Sequence, residues 1–345
     1  MNTVPGFRVI SLPRNTTVRV HRRSATIVLT LVVLALFVLM LTVATGAYEI
    51  TGNDLVATFL GGGSDMDQFI VLRQRLPRAV ADLLVGAALG LSGAIFQSIS
   101  RNPLGSPDVV GFATGSASGG LIVILLVGAS SVASIAVGTI AGGFATALFV
   151  YLLSSGGGKV SERLILTGIA VGAMLASVND YLITRATLDD AETAKAWQFG
   201  SLNIISWPHV IPLAVLLAVL VPLTLTMSGP MRVLEMGDDS AHALGVEVGK
   251  TRVWLLCAGV ALAAAAVATS GPIGFLAMAA PQLARKVSRS PGISLLPSMA
   301  MGALLLGAGD PLAARALSPF QIPVGLVTAA LGGLYLLWIL TWRKG

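Results

Sequence analysis

Three groups of residues in this 345-residue chain have types and spacings that could do chemistry. The first, Gly90-Leu-Ser92-Gly93, matches the G-x-S-G of serine hydrolases that work inside membranes, where the serine needs a histidine base within hydrogen-bond reach. His21, His209 and His242 fall in tails, segment edges or loops, so an intramembrane serine hydrolase is a remote alternative. The second, Gly245-Val-Glu-Val-Gly249-Lys250-Thr251, comes close to a phosphate-binding loop but places three residues between its glycines where the motif needs four. Nucleotide binding by this chain is therefore not expected, and if ATP powers it the ATPase is a separate chain. The third is Arg75 and Arg78, with Asp82 four residues after Arg78 on a helical period. One reading is a structural Arg78–Asp82 pair with a snorkelling arginine; the other is a basic rim that docks an acidic partner.

A polar stretch, Met231–Arg252, interrupts two long apolar runs. Asp238 and Asp239 are N-cap candidates for a short helix through Ala241 and Leu244, and Gly245 suits a left-handed stop. Such a helix, held by a span on either side, could dock a soluble partner or be an ordinary interfacial helix. Asn179 and Asp180 lie near one end of an apolar segment, where polar groups are costly unless they face protein, water or a path. A buried structural hydrogen bond is the equal alternative for Asn179.

The elements that must position these residues are membrane spans. The chain is 55% hydrophobic and 11% charged, with mean hydropathy +0.85, more apolar surface than a soluble core could hide. Ten apolar segments can be read: Ser24–Tyr48, Ala79–Ile99, Val109–Val127, Val132–Ser154, Leu164–Thr184, Trp207–Met227, Val253–Ala268, Ile273–Ala284, Ile293–Gly309 and Ile322–Trp342. Ile273–Ala284 is too short to span alone, and Pro281 is expected to break it. The first segment carries no charge and no small-residue cleavage site, so it reads as retained. With the amino terminus inside, 16 of the 22 Lys and Arg fall on the cytoplasmic side, which places both termini and Met231–Arg252 there. Residues 1–23 then read as a mobile basic tail beside the anionic leaflet, and residues 24–345 as the transmembrane domain. The net charge of +6 is explained by orientation, not by nucleic acid, and the single cysteine, Cys257, excludes a disulfide or multi-cysteine metal site within the chain. Glycine-rich runs, notably Gly86, Gly90 and Gly93, predict close helix contacts.

Beyond this, the residues resemble the FecCD-type permease family, membrane subunits of ABC importers for iron–siderophores, haem and cobalamin. The resemblance rests on Arg75-Leu-Pro-Arg78, Gly86-Ala-Ala-Leu-Gly90, Gln97, Arg101-Asn-Pro-Leu-Gly105, Gly271-Pro-Ile-Gly-Phe275, Pro281 with Arg285, Asp310 and Pro323-Val-Gly325. Gly93-Ala-Ile-Phe-Gln97, Asn102–Val109, Glu235-Met-Gly-Asp-Asp239 and Gly332-Gly-Leu-Tyr335 look most like a ferric-enterobactin-type subunit, the G partner of a D/G pair.

The resemblance implies an all-α, polytopic, type II ABC importer permease fold of about ten helices in the bacterial inner membrane. It implies a second homologous permease, giving a heterodimer, two ATPase subunits holding ATP and Mg, and an extracytoplasmic siderophore-binding protein. The cargo would be a ferric siderophore, with haem or cobalamin as the alternative, and this chain would carry no catalytic residue, metal or cofactor of its own. Glu235, Met236, Gly237, Asp238, Asp239, Ala241, Leu244 and Gly245 match the ATPase-coupling helices, Arg75 and Arg78 the carrier-docking arginines, and Ser161 and Glu162 the cytoplasmic gate. Gln97, Asn179, Gln282 and Asp310 are polar positions of the path or of the framework. Two departures stand out: Gln282 replaces the family's histidine after the proline, and Ala314 replaces an outer arginine, with Arg315 one residue on.

Overall fold

The computed structural model describes residues 7–12, 16–128, 131–154, 160–290, 292–316 and 321–342. Strands β1 (Phe7–Leu12) and β2 (Thr16–His21) pair antiparallel and lead directly into α1 (Arg22–Ala44). The basic tail thus contains a hairpin where an irregular segment was expected. Its Val, Ile and Thr content favours a pleated backbone over a helical one.

On the outer side follow α2 (Gly52–Phe59) and α3 (Asp65–Gln68), which runs through a π-helical stretch, Phe69–Arg75, into α4 (Leu76–Ser100). Then come α5 (Phe112–Ile122, prolonged to Val127 by a second π-helical stretch), α6 (Val132–Ser154), α7 (Val160–Arg185) and the short outer helix α8 (Leu188–Gln198). The remainder is α9 (Trp207–Thr226), α10 (Ser228–Glu235), α11 (Asp238–Ala243), α12 (Val248–Ser270), α13 (Leu276–Ser288), α14 (Leu295–Ala316) and α15 (Val324–Trp342). Each of the ten apolar segments is therefore helical, and seven described helical segments are long and apolar enough to cross a bilayer.

The core is built on α4, which packs against α12, α13 and α14. α4, α12 and α14 are buried over most of their length, whereas α1, α6, α7 and α9 leave most of theirs exposed. Lipid provides no hydrophobic drive between helices, so the central contacts depend on close backbone approach. A Cβ on Gly86 would lie 2.3 Å from the Gly302 carbonyl, and one on Gly90 2.3 Å from that of Ser298. Glycines four apart on α4 thus face small residues four apart on α14.

α13 runs continuously through Pro281, against the expected break. Proline removes the donor that the Ala277 carbonyl would otherwise receive four residues on. That freed carbonyl lies against Gly93 of α4, where a Cβ would come within 1.7 Å of it. The glycine and the proline are two halves of one contact. The turn read at Ser270–Gly274 is present, with Gly271 at φ 71° and Phe275, just before α13, at φ 65°.

Candidate functional site

At the outer end, the two arginines singled out from sequence are both engaged inside the chain. Arg78 makes a two-pronged ion pair with Asp310 of α14: Nε to Oδ2 at 2.7 Å and Nη2 to Oδ1 at 3.0 Å. The expected Arg78–Asp82 pair does not form. Asp82 is 1% exposed, and neither of its oxygens has a hydrogen-bond partner among the described residues. The reason is geometric: α14 lies close enough over the glycines of α4 to present Asp310 to the guanidinium fork in planar alignment, which a carboxylate on the same helix cannot match. Arg75 donates to the carbonyls of Val43 and Tyr48 and so caps the end of α1, where a cation complements the free carbonyls. Exposed side chains at this mouth come instead from Arg73, Gln74 and Arg315, the last donating to Thr45. Exposure of Arg73 was not legible in the sequence, because the π-helical stretch shifts the helical phase just before α4.

At the opposite end of α4, α10 and α11 form a helix pair. Asp238 and Asp239 occupy the first turn of α11, and the N-cap is Gly237, not an aspartate. Gly237 has φ 113° and ψ 157°, a conformation that side chains rarely tolerate. Gly245, at φ 78°, ends the helix as expected; Val246 N–H donates back to the Ala241 carbonyl at 2.9 Å and Gly245 N–H to that of His242 at 3.0 Å.

The coupling set divides into two faces. Met236 and Leu244 are 68% and 62% exposed, and Asp239 and Gly245 are exposed beside them. Ala241 is buried in the main apolar core, and Asp238 turns inward to two arginines: Oδ1 accepts from Arg101 at 2.8 Å and from Arg252 at 3.0 Å. Glu235 also turns inward. Burial pushes its carboxyl up, opposed by the Ser98 hydroxyl, the Ile293 N–H and the cations Arg232 and Arg285.

The remaining polar positions tie helices together. Gln97 donates to the Met278 carbonyl at 2.9 Å, and Gln282 donates to that of Pro103 at 2.7 Å, so α13 is strapped to both α4 and the segment after it. Gln282 supplies here a neutral donor in place of an imidazole. Asn179 is buried, with no donor to its Oδ1 among the described residues. Ser161 and Glu162 belong to the first turn of α7, but their side chains lie outside the described residues.

Sequence reasoning missed Asp108, in the connection between α4 and α5. Burial pushes its carboxyl up to about 7, opposed by a hydrogen bond from the Phe275 N–H at the start of α13, and its Oδ2 has no partner among the described residues. The serine-hydrolase pattern has a packing role: Ser92 is fully buried and donates to the Gly259 carbonyl at 2.7 Å. His209 instead lies beside Ser206, and His242 beside the Asp238 carbonyl. The near P-loop ends α11 and opens α12 without a preceding strand.

A bundle of apolar helices packed around α4, with α13 strapped to it unbroken, an ion pair near each end of α4 and a short helix pair on one face, is the architecture of a multi-pass membrane permease. The FecCD transport family profile matches residues 33–342, and the chain belongs to that family. It is 43% identical over 296 residues to the ferric enterobactin transport system permease protein FepG of Escherichia coli K12, covering 86% of this chain and 89% of that one. It is 33% identical over 325 residues to the Fe(3+)-citrate import system permease protein YfmE of Bacillus subtilis 168, covering 94% and 97%. It is 34% identical over 312 residues to the hemin transport system permease protein HmuU of Yersinia pestis, covering 88% and 93%. Among solved structures, an inward-facing metal-chelate type ABC transporter superimposes with TM-score 0.81 at 28% identity, covering 92% of this chain and 99% of that one.

Proposed function

We propose that this chain is the membrane permease subunit of an inner-membrane ABC importer that carries a ferric siderophore of the enterobactin type into the cytoplasm. The observation that carries the reading is the exposed set Met236, Asp239 and Leu244 on and flanking the short helix α11, which lies between two spans. Apolar side chains held in the open by a rigid frame suit burial against a soluble partner. ATP and Mg belong to two partner ATPase subunits, and the chain holds no cofactor and no catalytic group of its own. Likeness to the enterobactin permease supports the cargo class, and a second homologous permease completes the path as a heterodimer. Likeness to the hemin permease supports haem as the second reading.

In this reading residues 1–23 are a cytoplasmic appendage and residues 24–345 the permease domain. Ser161 and Glu162 stand at the cytoplasmic gate, and the siderophore-binding protein docks at the Arg75–Arg78 mouth, with Arg73 offering the exposed cation. ATP-driven closure of the ATPases biases the bundle between outward-open and inward-open states through unequal contact in the two.

Affinity purification of the chain from its native membrane should bring down an ATPase and a second permease, and the cognate carrier should bind ferric enterobactin. Leu244→Asp should leave membrane insertion intact and lower uptake at least about tenfold, the equivalent of ~1.4 kcal/mol of docking energy. Recovery without an ATPase, or unimpaired uptake by Leu244→Asp, would refute the assignment; a carrier that binds haem and not the siderophore would transfer it to the second reading.

A further inference from the structure

A helix of six residues, such as α11, cannot transmit force by its own stability, because so short a helix is not stable alone. What matters is how it is fastened. Asp238 in its first turn holds Arg101, the residue that ends α4, and Arg252 of α12, one carboxylate joining three helices. Arg252 is nearly buried, at 11% side-chain exposure, and spans both carboxylate oxygens with one nitrogen, at 3.0 and 3.1 Å.

Arg101 is the more telling partner. It sits at φ 51°, ψ 30°, in the left-handed region, at the C-cap of α4. That conformation is common for glycine at helix ends and is strained for an arginine. The side chain reaching from this position closes the bridge to Asp238.

α4 is also the element best placed to carry a displacement. Its 25 residues span about 37 Å. It packs along α12 and along α14, and at its outer end Arg78 grips Asp310. An ion pair therefore stands at each end of one rigid helix, the inner one on the coupling helix and the outer one at the mouth.

We infer that the Arg101–Asp238–Arg252 bridge is the linkage that makes α4 and α12 follow α11, with Arg101 as a positioning residue for coupling. This rests on the reading of α11 as the ATPase-facing element. Without the bridge α11 can rock while α4 stays, so ATP is hydrolysed without full opening.

The test uses the assembled transporter, this chain with its partner permease and ATPases, reconstituted in liposomes with the carrier protein and ferric enterobactin. Iron uptake and ATP hydrolysis are measured together, per assembled complex. Arg101→Gln should lower cargo carried per ATP about fivefold, the factor expected for loss of one partly exposed ion pair, and Asp238→Asn, which loses both pairs, should lower it at least as much. Arg101→Lys should restore coupling, because Arg101 contacts Asp238 through a single nitrogen at 2.8 Å, which an ammonium can replace. Cargo per ATP equal to the unaltered chain in both Arg101→Gln and Asp238→Asn would overturn the linkage, as would an Arg101→Lys chain as uncoupled as Arg101→Gln. If Arg101→Gln assembles poorly, Asp238→Asn, which keeps the side-chain shape, decides the matter. Failure of the unaltered chain to assemble with an ATPase would refute the importer reading itself, a separate outcome.

Discussion

Removing Arg78 should be far more damaging than removing its partner Asp310, although the two form one ion pair. Asp310 is 2% exposed and Asp82 is 1% exposed, and Arg78 is the cation that faces both from the same end of the bundle. Arg78→Ala therefore strands the buried Asp310 carboxylate beside the buried Asp82 carboxyl group, with Arg78 no longer facing either. Breaking a buried pair from one side costs about 3–5 kcal/mol, because the remaining charge has lost both water and partner. Asp310→Asn leaves Arg78 with a second acceptor within reach, the unpartnered Asp82 four residues along α4. The rotation restores most of the electrostatic energy and forfeits the two-pronged geometry, a loss of roughly 1–2 kcal/mol. The double variant Arg78→Ala/Asp310→Asn should fall below the sum of the two, since the second change removes the carboxylate that the first strands. Thermal unfolding in a single detergent at fixed pH, followed by tryptophan fluorescence, ranks the variants. An Asp310→Asn chain as labile as Arg78→Ala, or a double variant worse than the sum, would refute the argument that one arginine serves two carboxyl groups.

Further expectations concern packing and protonation. Gly93→Ala should cost more than about 2 kcal/mol, because its Cβ would stand 1.7 Å from the Ala277 carbonyl and only movement of α13 can relieve it. Gly333→Ala, whose Cβ meets nothing within 4 Å, should be neutral or stabilise by up to about 1 kcal/mol; melting midpoints of the two check the contrast. Asp108→Asn should flatten the pH profile of stability. The folded carboxyl is raised from 3.8 to about 7, so its neutral form favours the folded state below pH 3.8 and that contribution is lost as pH rises through about 7. The variant should therefore match the unaltered chain near pH 4 and exceed it at pH 8, and parallel profiles would refute the assignment. Arg75→Ala should loosen the end of α1 and speed amide exchange around Val43–Tyr48, while an unchanged exchange rate would show that the cap does not hold that segment.

The division between the two coupling faces has a functional consequence. The residues that look alike in sequence, Asp238 and Asp239, do different things: one is tied to Arg101 and Arg252, the other is exposed. Under the proposed coupling role, substitutions at Asp239, Met236 and Leu244 should act on a partner, whereas substitutions at Asp238, Ala241 and Glu235 should act on the frame.

The sequence by itself determined the ten apolar helices and the glycine contacts, since hydrophobic length and small-residue spacing are local properties. It also determined the short helix that Gly245 terminates, because a left-handed stop is a property of one residue. Only the tertiary structure decided which partner each charge takes. Arg78 chose Asp310, 232 positions away, over Asp82 four positions away. Pro281 stayed within a helix because Gly93, on another helix, accommodates the carbonyl it frees. Helical periodicity identifies which residues share a face of one helix; it carries no information about what a second helix, brought close by the absence of side chains, will place opposite them.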